Sequence, residues 1–443
     1  MRVYYKTFGC KANQYDTERM RQEGEARGAI PTRDRAQADV FVVNTCTVTN
    51  QADADARRFI RRLRREHPDA DIVVAGCSAA LKESEYRAMP GVREVVPGHD
   101  PVLVAASLGS VPLAQIELRV PLDRIDTEPI GGALLRRRQG ASRGWLKVQD
   151  GCDRKCSFCA TRLARGAARS RPLDEVVAEA RLLAEEHAEL VLTGIHIGHY
   201  GADLAPISTL SQLCAELLDR VPEVRFRLGS VEATEVDDLL IDLLATSGDR
   251  LATHLHMPLQ SGADSVLRLM RRWHTREQYR ARVWEIAERV QPLGLGADVI
   301  TGFPGESNDD HASTRALIEE LPFTYLHVFP YSPRADTAAV DLPGPVPQRV
   351  AGERARELRE IAHAKGLAHR AGRVGSTATV VVEGDGGTGL TEDYLRVDLV
   401  PSVRDGHEGG HEADGARIVT GTLLGDGDHL YIDAPRPIQL LQA

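Results

Sequence analysis

The sequence predicts an α/β protein of three successive units: an open parallel sheet, a curved and incomplete (β/α)6 barrel, and a small all-β barrel. Three observations lead there. Through about residue 112, short β-branched runs alternate with Arg- and Glu-rich stretches of helix length. From about 140 to 368, a strand–loop–helix unit recurs about six times. From about 371, the chain turns rich in Val, Thr and Gly and breaks into short strands. The expected boundaries are 1–112, a linker at 113–137, 138–368 and 371–440.

In the first unit the strands are VYYKTFG, ADVFVVNT and DIVVAG. Their alternation with helical stretches implies a parallel sheet covered by helices. In the second unit the strands are WLKVQ (145–149), LVLT (190–193), RFRLG (225–229), THLHM (253–257), GADVI (296–300) and TYLHV (324–328). Helix-period stretches follow them, such as LDEVVAEARLLAEEH (173–187) and EVDDLLIDLLATS (235–247). Barrels of this type carry their chemistry on the loops after the strands. Those loops hold, in order, a cysteine triplet, Thr193-Gly194, Gly229-Ser230-Val231-Glu232, Pro258-Leu259-Gln260-Ser261-Gly262, Thr301-Gly302-Phe303-Pro304-Gly305-Glu306 and Pro330-Tyr331-Ser332. In the third unit STATVVVEG, YLRVDLV, RIVTGTLLG and HLYIDA read as strands. The insert RDGHEGGHEADGAR (404–417) reads as a loop; with so much Gly and no nearby Cys, His407 and His411 are solvated side chains rather than metal ligands.

At 443 residues, 42% hydrophobic and 27% charged, the chain has the makeup of globular domains with their own cores. No apolar run approaches the 18 residues of a membrane span, and MRVYYKTFGC lacks the apolar core of a signal peptide, so a cytoplasmic protein without a membrane partner is expected. Seven cysteines, an odd number, argue against a disulfide framework. Cys214, in LSQLCAELL, falls on the apolar face of a helix and reads as core. The net charge of −9 counts against a nucleic-acid partner, yet basic residues cluster in RRFIRRLRREH (57–67), LLRRRQGASR (134–143) and RLMRRWHTREQYRAR (268–282). Placement of charge outweighs its sum, so these clusters keep a polyanionic partner open.

The other six cysteines form two groups of three. Cys152, Cys156 and Cys159 lie in KVQDGCDRKCSFCATRLARG as Cys-x3-Cys-x2-Cys. Three thiolates this close can hold three corners of a cubane iron–sulfur cluster and leave one iron open, whereas zinc usually takes a fourth protein ligand. A zinc knuckle or a redox thiol pair is the alternative. Phe158, just before the last cysteine, would shield one face of such a cluster. Cys10, Cys46 and Cys77 each end one of the three strands of the first unit. Ligands of open parallel sheets bind beyond the carboxyl ends of the strands, so these three converge on a second three-thiolate site. Gly9, Thr45 and Gly76 beside them suit close approach, and Asn13 and Asn44 are pocket-lining or turn-capping residues.

The opening TFGCKANQYDTE, the cysteine segment, VLTGIHIGHYGAD, LHMPLQSGADSVLRLMRR and HVFPYSPRADTAA together resemble the radical S-adenosylmethionine (SAM) methylthiotransferases, across the whole chain. Lys11-Ala12-Asn13 after the first cysteine is most similar to the branch that acts on tRNA N6-threonylcarbamoyladenosine. The resemblance implies a flavodoxin-like first unit, a radical SAM partial barrel and a C-terminal TRAM β-barrel. It implies two [4Fe–4S] clusters: one on Cys152, Cys156 and Cys159 that cleaves SAM to a 5′-deoxyadenosyl radical, and an auxiliary one on Cys10, Cys46 and Cys77 that carries the sulfur. Thr193 and Gly194 would meet the SAM amino group, Ser230 and Glu232 its ribose and methionine ends, and the backbone around Ile300 and Gly302 its adenine. The reaction implied is methylthiolation of C2 of N6-threonylcarbamoyladenosine at tRNA position 37, beside the anticodon. The partners implied are a tRNA anticodon stem-loop and an electron donor such as flavodoxin or ferredoxin, with the enzyme a monomer; no sulfur source is named. Methylthiolation of tRNA N6-isopentenyladenosine or of a ribosomal-protein aspartate are the alternatives, and a non-catalytic iron–sulfur carrier is a third.

One feature departs from an RNA-binding TRAM domain: residues 371–443 hold 5 Lys/Arg against 12 Asp/Glu. Phosphate contact dominates RNA affinity, so the Arg clusters of the first two units are expected to grip the tRNA, with Tyr394 and Arg396 as single contacts from the third.

Overall fold

The computed structural model describes residues 1–109, 134–138, 140–384, 386–399, 417–438 and 440. Most of the expected linker, residues 113–133, and the 404–416 part of the insert, with His407 and His411, lie outside the described residues.

Each strand of the first unit alternates between two apolar faces. Val42 packs with Val3, Met20 and Val104, while its neighbours Phe41 and Val43 pack with Ile60, Leu63 and Tyr86. A strand apolar on both sides belongs inside a helix-covered parallel sheet. The strands are β1 (Arg2–Thr7), β2 (Ile30–Pro31), β3 (Val40–Thr45), β4 (Asp71–Gly76) and β5 (Val92–Val95), all parallel, in the order β2-β1-β3-β4-β5. This is the flavodoxin-like order, which reverses between β1 and β3 and leaves a crevice at their carboxyl ends. Helix α1 (Lys11–Ala26) follows β1, α2 (Asn50–Glu66) follows β3, and the short α3 (Cys77–Leu81) follows β4. The two edge strands were not anticipated. β2 is two residues long, and β5, VREV, is half charged.

The second unit contains all six expected strands. β6 (Arg143–Lys147), β9 (Glu189–Thr193) and β10 (Arg225–Leu228) form one parallel sheet; β11 (His254–His256), β12 (Gly294–Thr301) and β13 (Tyr325–Pro330) form another. The two short strands β7 (Gln149–Asp150) and β8 (Arg169–Ser170) pair beside them. Parallel bridges Phe226–Leu251 and Ser230–His256 join the sheets into one six-stranded open arc. Outward residues such as Leu190, Leu192, Leu255, Leu295 and Val328 pack into the large core under the helices. Their alternates, among them Arg225, Arg227, His254, His256 and Asp298, face the concave side, which is polar.

The third unit is a closed barrel in the order β14-β15-β16-β18-β17, from β14 (Thr377–Glu383), β15 (Thr388–Thr391), β16 (Arg396–Leu399), β17 (Ile418–Gly425) and β18 (Leu430–Pro437). Of these β15 was not anticipated. The helix Gln348–Arg373 leads into it, and Arg373 pairs with Asp393 and Glu392. This unit docks on the barrel through one carboxylate and several backbone carbonyls. Arg143 pairs with Glu383 at 2.7 Å, and Arg225 and Arg227 donate to the carbonyls of Thr379, Leu390, Thr391 and Glu392. Tyr394 is turned inward, stacked on His254 at 4.2 Å, and is therefore not free to stack on RNA as expected; Arg396 is exposed.

Glu189 lies fully buried between Arg225 and Arg227, each bonded at 2.8 Å. Burial alone would raise its pKa, but the Arg227 and Arg225 guanidiniums outweigh burial and hold it at about 2. A depressed carboxylate stabilises the fold above its unfolded pKa, and that stability is lost as pH falls through the folded one. Glu189→Gln should therefore lower stability at pH 7 by about 3–5 kcal/mol, as expected for stripping one partner from a buried charge cluster. It should also flatten the acid-induced loss between pH 4.5 and 2. Urea midpoints measured across that range check both points, and an unchanged midpoint at pH 7 would sink the argument.

Candidate active site

Cys10, Cys46 and Cys77 stand at the carboxyl ends of β1, β3 and β4, astride the reversal in strand order. Cys10 is the N-cap of α1 and Cys77 the first residue of α3. Two glycines let the loops close in. Gly9 has φ +103°, and a Cβ there would lie 2.7 Å from Cys46 Sγ; Gly76 has φ +96°, and its Cβ would lie 2.2 Å from Asn44 Oδ1. An L side chain fits neither backbone. Asn13 ties the loops together, its Nδ2 donating to the carbonyls of Phe8 and Thr45 at 2.9 Å each. Asn44 in turn donates to Asn13 O and Thr17 Oγ1. Asn13 also lies beside the cysteines, its Oδ1 3.6 Å from Cys77 Sγ. Cys46 and Cys77 are buried and Cys10 is exposed. Burial pushes the Cys46 thiol up to about 12, with neighbouring Cys10 and Cys77 adding to the rise. Burial also raises Cys77, against the Arg165 guanidinium. Three thiols gathered at one sheet edge suit a shared metal centre that would neutralise them as thiolates.

The second triplet begins where β7 ends. Its loop is rooted in the barrel by Ser157, whose N–H donates to Met270 O at 3.0 Å and whose hydroxyl donates to Leu269 O at 2.7 Å. Phe158 is edge-on to Phe303 at 6.3 Å and packs with Val266 and Met270, so it anchors the loop. Each thiol has a polar neighbour. Cys152 Sγ lies 3.7 Å from His196 Nδ1, Cys156 Sγ accepts from Arg272 Nη1 at 3.6 Å, and Cys159 Sγ accepts from the Thr161 N–H at 3.4 Å. Burial pushes the Cys156 thiol up to about 11, against the opposing pull of Arg272. Burial would lower the pKa of His196, but its bonds to Cys152 and Glu235 outweigh burial and raise it to about 9. N–H groups and cations aimed at sulfur stabilise thiolates, which is what a cluster or metal needs of its ligands.

The residues expected to meet SAM line the same rim. Thr193 is buried at the end of β9, and a Cβ on Gly194 would meet Gln149 O at 2.7 Å. Ser230 is exposed after β10. Glu232 is nearly buried and paired with Arg272, the residue that also reaches Cys156. Ile300 packs beside Phe303, and Gly302 donates its N–H to Glu306 Oε2 at 2.6 Å. Sequence reasoning missed Arg272, His196 and Glu235. Arg272 was legible only as one of many arginines in a basic segment expected to grip the tRNA. Of that segment Arg272 turns inward and Arg276 donates to Ser313 O, while Arg280 and Arg282 make partly exposed pairs with Glu320 and Asp238.

The largest omission is Arg165. It is fully buried, and its guanidinium donates to Cys77 Sγ at 3.2 Å, Asn13 Oδ1 at 2.6 Å, Asp16 Oδ2 at 2.7 Å and both oxygens of Asp150 at 2.9 and 3.0 Å. Lys147 bridges the same two carboxylates, and His99 bonds Asp150 at 2.9 Å. Asp16, His99 and Asp150 could in principle ligate a metal, but two buried cations already neutralise their carboxylates. The ion network joins the first unit (Asn13, Asp16, Cys77, His99) to the second (Lys147, Asp150, Arg165). Arg165 also ends the five-residue helix Thr161–Arg165 that starts just past Cys159. Such a helix is about 7.5 Å long, and the Cys152 N–H donates to Gly166 O at 3.1 Å, so Arg165 links Cys77 directly to the loop that carries the second triplet.

Residues 2–98 match the family described as "Uncharacterized protein family UPF0004", and residues 146–318 match the radical SAM superfamily. The threonylcarbamoyladenosine tRNA methylthiotransferase MtaB of Bacillus subtilis (strain 168) is 39% identical over 80% of this chain and 79% of its own length. The protein of the same name from Rickettsia prowazekii (strain Madrid E) is 36% identical, over 80% of this chain and 81% of its own. A tRNA-2-methylthio-N(6)-dimethylallyladenosine synthase from Sorangium cellulosum (strain So ce56) is also 36% identical, over 85% of this chain and 81% of its own. In fold, the chain is similar to TsrM from Kitasatospora setae, a radical SAM methyltransferase solved with cobalamin and a [4Fe-4S] cluster bound. The TM-score is 0.54 at 19% identity, over 81% of this chain and 84% of that one. With relatives this similar across four-fifths of its length, the chain belongs to the radical SAM methylthiotransferase family.

Proposed function

We propose that the enzyme methylthiolates C2 of N6-threonylcarbamoyladenosine at tRNA position 37, beside the anticodon. The observation that carries this reading is the pair of three-thiol sites linked through Arg165, in a chain whose relatives include the threonylcarbamoyladenosine enzymes. The division of labour is by unit. Residues 1–112 hold the auxiliary cluster on Cys10, Cys46 and Cys77, residues 138–368 hold the SAM cluster on Cys152, Cys156 and Cys159, 113–137 links them, and 371–440 closes the barrel. When bound, the two [4Fe–4S] clusters and SAM supply reductive SAM cleavage at one site and sulfur at the other.

The chain's own residues position and shield. Arg272 couples the Cys156 loop to Glu232, so the thiolate and the carboxylate meant for SAM are held by one guanidinium. His196 and Glu235 bond at 2.9 Å and fix the imidazole beside Cys152. Thr193, Gly194, Ser230, Ile300 and Gly302 form the rim on which SAM rests. Phe158, Phe303 and Tyr331 make an aromatic wall under that rim, which keeps water from the reacting atoms.

A tRNA partner is supported by the solvent face of α2. Lys6, Arg58, Arg61, Arg62 and Arg65 line a groove of about 520 Å³ with Phe8 and Phe59, against the one carboxylate of Asp55. Lys6 Nζ lies 5.4 Å from the Phe8 ring centre, and the Arg62 guanidinium 5.5 Å from that of Phe59. Clustered cations interleaved with aromatic rings suit a phosphate backbone and stacked bases. Phe8 is two residues from Cys10, so the groove leads to the auxiliary site. Among the described residues, no helix is long and apolar enough to cross a membrane.

The decisive test is nucleoside mass spectrometry of tRNA from cells lacking the gene, complemented with wild type, Cys46→Ala or Cys156→Ala. Only wild type should restore 2-methylthio-N6-threonylcarbamoyladenosine. The purified Cys46→Ala protein should still form 5′-deoxyadenosine from SAM, whereas Cys156→Ala should not. Loss of the isopentenyl analogue instead would overturn the substrate. For the groove, Arg61→Glu with Arg62→Glu should weaken tRNA binding about 10-fold or more and lower the salt dependence of log Kd by about 2. Unchanged affinity in filter binding would remove the groove from the interface.

A further inference from the structure

On the concave face of the barrel, side chains from three adjacent strands converge: His256 from β11, Asp298 from β12 and His327 from β13. The strand register brings them together. Asp298 and His327 are direct cross-strand partners, and His256 pairs with Gly296, two residues before Asp298 on the same face. Asp298 Oδ1 lies 3.1 Å from His256 Nε2 and 3.2 Å from His327 Nδ1. All three donor atoms lie within 4.8 Å of one another. Ligands about 2.1 Å from one ion stand about 3.0 Å apart at octahedral corners and about 3.4 Å apart at tetrahedral ones. Both contacts of Asp298 fall between those values.

The His256 imidazole is aimed as well as placed. Gly296 has no side chain, and the Tyr325 ring fills that space; a Cβ on Gly296 would run into Tyr325 Cζ. Lying across β12, the Tyr325 hydroxyl bonds His254 Nε2 at 2.8 Å and His256 Nδ1 at 3.1 Å. A hydroxyl that donates to His254 keeps a lone pair to accept from His256 Nδ1–H, and the unprotonated Nε2 then faces Asp298. Such a bond to the far ring nitrogen is what orients metal-binding histidines. The cluster is open on one side: His256 is buried, whereas the Asp298 and His327 side chains are 28% and 56% exposed. Two imidazoles and one carboxylate suit a divalent transition-type ion, while calcium and magnesium prefer all-oxygen shells. Three protein ligands leave at least one position for water.

We propose that His256, Asp298 and His327 bind one divalent metal ion of the Zn2+ class, with Tyr325 holding the His256 ring in place. The ion is a third inorganic centre, separate from the two thiol triplets, since none of its ligands is sulfur. Its binding does not depend on which nucleoside the enzyme modifies.

The test uses holoprotein whose cysteines are already occupied by iron–sulfur clusters, incubated anaerobically with Zn2+ and desalted. Wild type should retain about one zinc per chain, with X-ray absorption showing nitrogen and oxygen neighbours at about 2.0–2.1 Å and no sulfur at about 2.3 Å. His327→Ala trims a half-exposed side chain, so the fold should survive, and it should lose that zinc. Tyr325→Phe keeps the ring and drops the hydroxyl. Its zinc affinity, read by competition with a chromophoric chelator, should fall about 10- to 100-fold. Wild type that retains no zinc, or retains it only through sulfur, would overturn the assignment, as would a His327→Ala protein that holds zinc equally well. The three residues would then be a hydrogen-bonded support of the barrel, and the tRNA reading would stand.

Discussion

The arrangement of the site depends on one buried guanidinium. Arg165 has no contact with water, and burying a lone charge costs several kcal/mol even after relaxation. It is tolerable here because Asp16 comes from one unit and Asp150 from the other, with Lys147 between the same two carboxylates. Separating the units would leave charges unpaired on both sides. The network therefore acts as a lock that sets the spacing of the two thiol triplets, and it also places an N–H on Cys77 Sγ. Asn13 extends the lock to the Cys10 and Cys46 loops through their carbonyls. A reaction in which a species made at one centre must meet sulfur at another gains from such rigidity, since misplacement by about 1 Å can cost 100-fold in rate.

The charge of the protein has the same logic. The overall negative balance comes largely from a third unit that uses acidic residues and backbone carbonyls to receive barrel arginines. The first unit keeps its cations for solvent, on one face of α2. That cationic face belongs to the same unit as Cys10, Cys46 and Cys77. The acidic unit packs on the polar face of the barrel through the Tyr394–His254 stack.

Much of this was legible in the sequence. Short apolar runs marked every strand of the barrel, and Gly-rich or polar punctuation followed each run at its carboxyl end. The strand-end positions of Cys10, Cys46 and Cys77 foretold their convergence, because a parallel sheet presents all its carboxyl ends to one crevice. What was not legible has a physical reason. β2 is too short, and β5 too charged, to carry a hydrophobic pattern. Nothing local distinguishes Arg165 and Arg272 from exposed arginines, since burial of a charge is decided by partners far away in sequence. Asp16 and Asp150 are separated from Arg165 by 149 and 15 residues, a pairing that no local window contains.

The account's central claim is that both thiol triplets carry clusters held close together across the Arg165 lock. The most direct test is the EPR spectrum of the reduced, anaerobically reconstituted protein, loaded to about eight irons per chain as two cubanes require. The account predicts a spectrum broadened by magnetic coupling between two reduced clusters, which collapses to a single uncoupled signal in Cys77→Ala. Two sharp, independent signals in the wild-type protein, or loading that stops at about four irons, would contradict it.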